Sequence, residues 1–100
     1  MQALEPTGKP IGQWNGIPIM AGAISGGQDA YSYRYTIKAT PDAIHTFYDQ
    51  QMPKGGWQPL AVSTGQNQST LLTYSGSNGI LTITLYDQAD GTTLVMLVIS

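Results

Sequence analysis

The chain has no cysteine, which excludes disulfides, thiolate metal centres and cysteine nucleophiles together and leaves the redox compartment undetermined. Charge of either sign is scarce: four basic and six acidic residues make 10% of the sequence, against about 25% in an average domain. The net charge of −2 gives no positive field to draw a phosphate backbone, so nucleic acid is not an expected partner. One histidine and six scattered carboxylates offer no converging ligand set, so neither a metal nor a cofactor is expected. The longest apolar run, residues 94–99, falls far short of the ~20 residues that cross a bilayer. No basic-then-apolar leader opens the sequence; the expectation is either a cytoplasmic protein or one whose leader was removed before residue 1.

What is present is 100 residues, one domain by length. Its polar surface must be built from Gln, Ser, Thr and Gly, a composition common in extracytoplasmic bacterial domains. Residues 1–16 carry Pro6, Gly8, Pro10, Gly12 and Gly16, a density of breakers that predicts an N-terminal arm. Ile11 and Trp14 are its docking residues. A single domain is expected over 17–100.

The clearest local signal is a helix. Thr40 stands at N-cap, Pro41 at N1 where its missing N–H is harmless, and Asp42 in the first turn where a carboxylate complements the helix dipole. Ile44, Phe47, Tyr48 and Met52 then form one stripe. Burying them is worth roughly 6–12 kcal/mol before entropy is subtracted, as an upper bound. Pro53 stops the helix, and Gly55-Gly56 permits the reversal into Trp57.

Around the helix lie strands. Residues 17–24 read as a short edge strand in which Pro18 needs no ladder donor, and 25–29 as a turn. Tyr31, Tyr33, Tyr35 and Ile37 alternate with Ser32, Arg34, Thr36 and Lys38. Further strands are expected at 57–63, 70–75, 79–86 and 92–99, separated by a polar loop at 65–68 and by Asn78-Gly79 and Asp90-Gly91 turns. The last strand is apolar on both faces, which predicts a central or doubly covered position. The fold class expected is α+β: one α-helix packed on one face of a four- to five-stranded antiparallel sheet, in the order β-α-β-β-β after the arm. The arm either lengthens the sheet or folds over its open face.

The order Ile17-Pro18-Ile19-Met20-Ala21-Gly22-Ala23, a tyrosine-rich strand, Thr40-Pro41-Asp42, Phe47-Tyr48, Met52-Pro53 and Gly56-Trp57 resembles small uncharacterised bacterial domains. Their pattern runs "P-I-x-x-G-A … S/T-P-x-x-V/I-x-x-F-Y … L/M-P-x-x-G-W", often in exported proteins or lipoproteins. The likeness spans 17–100. It implies a β-α-β-β-β unit and residence outside the cytoplasm, and it carries no catalytic role. The sequence lacks that family's leader and lipobox cysteine.

Several segments resemble sites without their defining residues. Asp87-Gln88-Ala89-Asp90-Gly91 has its carboxylates at positions 1 and 4 and no glutamate at 12, so it reads as a hairpin turn rather than a calcium loop. Gly22-Ala23-Ile24-Ser25-Gly26-Gly27 lacks the Lys-Ser/Thr of a phosphate loop.

Three functions remain open. The leading expectation is a non-enzymatic binding or protein-interaction module that uses an apolar sheet face at Val95, Leu97 and Ile99, or alternatively at Leu94, Met96 and Val98, to meet a second copy or another protein. The second is a small-ligand or lipid carrier with a pocket between helix and sheet lined by Tyr33, Tyr35, Phe47 and Met52. The third is an enzyme using His45 with Asp42 at i−3 or Asp49 at i+4. Against it, no serine nucleophile or oxyanion loop is identifiable nearby in sequence.

Overall fold

Thr40 begins the helix as its sequence position predicts, accepting a 3.2 Å hydrogen bond from the Ala43 N–H through its side-chain oxygen. In the computed structural model, which describes residues 11–28, 32–64, 69–77, 79–88 and 91–100, the helix α1 spans Pro41–Gln51. Residues 1–10, residues 29–31 with the end of the expected 25–29 turn and Tyr31, the loop at 65–68, Asn78 and residues 89–90 of the Asp-Gly turn lie outside the described residues. After α1, a 3₁₀ turn at Pro53–Gly55 leads to Gly56 at φ 88°, and the Trp57 N–H returns to the Met52 carbonyl at 3.0 Å. That left-handed residue ends the helical path, and glycine adopts it without steric cost.

The strands are more numerous than the sequence led us to expect. Gln13–Trp14 (β1) and Ile17–Pro18 (β2) form a small hairpin of their own. Ala23–Gln28 (β3), Ser32–Ile37 (β4), Gln58–Thr64 (β5), Ser69–Gly76 (β6), Gly79–Asp87 (β7) and Thr93–Ile99 (β8) form one antiparallel sheet in the order β3-β4-β8-β7-β6-β5. The expected sheet of four to five strands is therefore corrected to six, and the described chain is mostly sheet with one short helix.

Two segments account for the difference. The stretch read as a turn, Ser25-Gly26-Gly27-Gln28, is the body of edge strand β3, with Gly26 opposite Tyr35 and Gln28 opposite Tyr33. The expected strand at 17–24 is split: its beginning joins the hairpin and its end joins β3. Of the two alternatives for the arm, only the first is realised, and in part: β3 lengthens the sheet, whereas the hairpin packs with the core on the helix-facing side and not over the open face.

The expected meander from β5 to β8 is present, and β8 lies between β4 and β7 inside the sheet. Register settles its faces. Val95 stands opposite Tyr35 and Leu85, and Leu97 opposite Tyr33 and Ile83, all of them in the core under α1. Leu94, Met96 and Val98 point the other way, beside Thr36, Arg34 and Ser32. Among the described residues no helix is long and apolar enough to cross a membrane.

Candidate functional site

The helix-facing side of the sheet gathers four tyrosines that sequence spacing scatters: Tyr33 and Tyr35 from β4, Tyr48 from α1 and Tyr74 from β6, each at most 1% exposed. A phenol so placed must find partners, because a buried unpaired hydroxyl is costly. Tyr48 donates to the Pro18 carbonyl at 2.9 Å, and its oxygen lies 2.7 Å from that of Tyr35. Since the one Tyr48 proton is committed to Pro18, Tyr35 is the donor in this pair. The Tyr35 hydroxyl in turn engages the Met20 backbone. A relay thus starts on Met20, crosses two phenols and ends on the Pro18 carbonyl.

The remaining rings continue this arrangement. The Tyr33 hydroxyl accepts a 3.1 Å bond from the Ile11 N–H, and its ring stacks on Trp14 with centroids 6.5 Å apart. Three tyrosines from β4 and α1 therefore tie down the segment that carries the hairpin, and Trp14, Ile17 and Ile19 fill the space beneath it. Burial pushes the Tyr35 phenol up to about 12 and raises Tyr48 well beyond its ordinary range. Both stay protonated donors at physiological pH.

Beside this cluster opens a cleft of about 340 Å³, whose walls include Ile11, Ile19, Met20 and Ala23 together with Gly12 and Gly22. Its volume is at the small end of the roughly 300–1,000 Å³ typical of ligand pockets. The lining is apolar apart from backbone.

The sequence-predicted pocket residues come together but do not line an open cavity as a set. Tyr33, Tyr35 and Met52 are packed in the core, and Phe47 is partly buried against it, edge-on to Tyr48 at 4.9 Å. The open space lies elsewhere, walled by residues 11–12 and 19–23 of the arm and the start of β3. The expected interaction face at Val95, Leu97 and Ile99 is displaced as well, because the register turns it toward α1, with Val95 and Leu97 fully buried and Ile99 packed on the core. The alternative set Leu94, Met96 and Val98 is on the outer face, where Leu94 is buried and Met96 and Val98 are half-buried.

His45 and Asp49 do meet, with Nε2 and Oδ2 3.0 Å apart at a half-exposed position. The other Asp49 oxygen accepts a 2.9 Å bond from the Tyr74 hydroxyl, which ties α1 to β6. Burial, followed by this bond to Asp49, raises the Tyr74 phenol. Asp42 is exposed in the first helical turn. Among the described residues no group of three or more His, Cys, Asp or Glu could hold a metal ion.

Sequence reasoning expected Trp14 to dock, as it does, but missed the hairpin and its contribution of Ile17 and Ile19 to the core. The signal was present in Asn15-Gly16, which takes φ 51° and 80° between β1 and β2, the positive values that Asn-Gly tolerates in two-residue hairpin turns. A family model described as START domain-like matches residues 19–91. No curated protein and no solved structure matches the chain.

Proposed function

This chain belongs to the START domain-like family, and on that premise we propose that it is a non-enzymatic module that binds a small, largely apolar ligand on the helix-facing side of its sheet. The observation that carries this reading is the apolar cleft of about 340 Å³ next to a cluster of buried phenols whose hydroxyls both donate and accept. Apolar walls supply burial energy, and a few fixed polar groups orient what is bound. The ligand space is thus moved from the tightly packed Phe47–Met52 layer to the cleft formed by the arm. Native mass spectrometry after mild purification tests it: a binding module retains a small molecule or takes up an added apolar one at one per chain. Persistent ligand-free protein in the presence of such compounds would defeat the reading.

A second reading rests on the outer sheet face. Leu71, Tyr86, Met96 and Val98 lie there half-buried, with Arg34 as a charged neighbour. Such a face suits a second copy of this chain. Light scattering decides, since a strict monomer at high concentration removes it. Residence outside the cytoplasm is proposed with both readings, supported by the scarcity of charge.

A further inference from the structure

The hairpin that closes the tyrosine cluster is built like a removable part. It shares no backbone ladder with the six-stranded sheet. Its own Asn15-Gly16 turn and the 3.0 Å bond from the Ile19 N–H to the Gly12 carbonyl hold it together from within. Gly12 and Gly22 flank it, each in open space, and Gly22 has φ 96°. Between them, the segment and its leading residue are anchored by apolar side chains and by hydrogen bonds to the hydroxyls of Tyr33, Tyr35 and Tyr48.

Resting on the ligand-binding reading above, we propose that residues 12–22 are a displaceable plug, and that the ligand replacing it is an apolar molecule bearing a neutral carbonyl. The bound hairpin supplies the template. Trp14, Ile17 and Ile19 occupy the apolar space, and the Pro18 carbonyl occupies the acceptor position at Tyr48. A ligand that takes the hairpin's place meets the Tyr48 hydroxyl where the Pro18 carbonyl had accepted its proton. An ester, amide or ketone matches it. A carboxylate does not, because a buried anion needs a paired cation, and among the described residues Arg34 points out of the opposite face of the sheet while Lys38 and Lys54 are exposed. A cation is disfavoured likewise, because a buried ammonium needs a paired anion and Asp49 already engages His45 and Tyr74.

Displacement also sets the affinity. A site filled by its own chain binds with its intrinsic affinity multiplied by the fraction of time the plug is out, so loosening the plug strengthens binding. A hairpin that served as a fixed wall would behave in the opposite way.

The test uses the full chain with methyl decanoate, sodium decanoate and decylammonium chloride, read by native mass spectrometry titration and by hydrogen exchange. Methyl decanoate is expected to bind about tenfold more tightly than either charged probe, as one neutral hydrogen bond allows. On binding it, the amides of 12–20 lose protection while those of α1 and β4 to β8 keep theirs. Ile17→Ala raises the ester affinity several-fold, and Ile19→Val does the same to a smaller degree if the alanine variant fails to fold. Tyr48→Phe lowers the ester affinity up to about tenfold, since the carbonyl loses its donor. Binding with unchanged or increased hairpin protection, or weaker binding in the loosened variant, overturns the plug and leaves the binding reading standing. If no probe binds either the wild-type chain or the loosened variant, both are overturned. Equal binding of the ester and decanoate overturns the carbonyl assignment.

Discussion

Tyr48 and Tyr35 hold α1 to the sheet through a 2.7 Å bond between their hydroxyls, and the same Tyr48 group holds the arm through Pro18. One phenol on the helix therefore joins three separate pieces of chain. Removing its oxygen leaves the Pro18 carbonyl and the Tyr35 proton without their partners in a site that is almost dry. Tyr48→Phe is expected to cost about 1–3 kcal/mol, the usual penalty for orphaning buried polar groups. Urea denaturation would show this as a lower midpoint with an unchanged slope; a midpoint within error of wild type would show that the bond contributes nothing net.

Alkaline pH should attack the same place. The Tyr35 phenol lies near 12 in the folded chain against an ordinary 10.0, chiefly because burial disfavours its anion, and Tyr48 is raised further for the same leading reason. The native state thus keeps protons that the unfolded chain releases. Their stabilising effect is whole below pH 10 and declines as pH rises from there through 12. Phenolate absorbance from these residues is expected to grow in step with the loss of circular dichroism. Full titration near pH 10 with the fold intact would contradict the burial described.

The register of β8 makes opposite forecasts for neighbouring residues. Leu97 is wholly buried beneath α1 whereas Val98 is half-exposed on the outer face. Leu97→Ala is expected to cost about 2–5 kcal/mol, and Val98→Thr under about 1 kcal/mol. Thermal or chemical unfolding of the two variants would check it. A reversal of that order would mean the strand is flipped.

Gly76 is required by Trp57. A Cβ on residue 76 would stand 2.8 Å from the indole Cε3, whereas one on Gly55 would make an ordinary 3.6 Å contact with the same ring. Gly76→Ala is therefore expected to displace the indole at about 1–3 kcal/mol, the range for overpacking. Gly55→Ala should leave the tryptophan fluorescence unchanged. Identical spectra for both variants would argue that the ring is not seated as described.

Much of the fold was legible because local chemistry and tertiary packing agree along residues 32–57. Cap, proline, stripe and terminating glycine each mark the helix, and strict alternation marks β4. The N-terminal third was harder, because breakers that deny a long strand equally permit a two-residue hairpin, and Gly26-Gly27 reads as a turn until a tyrosine-rich partner pairs with it. A face apolar on both sides cannot declare which side is inward. Only pairing to Tyr33 and Tyr35 tells Val95 and Leu97 from Met96 and Val98. The candidate site was legible in kind, as tyrosines beside an apolar layer, and misplaced in position. Nothing in spacing alone brings Pro18 to Tyr48.

The placement of β8 between β4 and β7 also governs the order in which the chain can assemble. The meander from β5 to β8 forms through short reversals, but β4 finds its partner only after a strand that follows the helix, the 3₁₀ turn and three other strands. Bringing such distant segments together costs loop entropy before the contacts offset it. Joining β4 to β8 is therefore expected to be the slow step of folding, and a ribosome-bound chain that has not released β8 keeps its tyrosines waiting for the far half of their core.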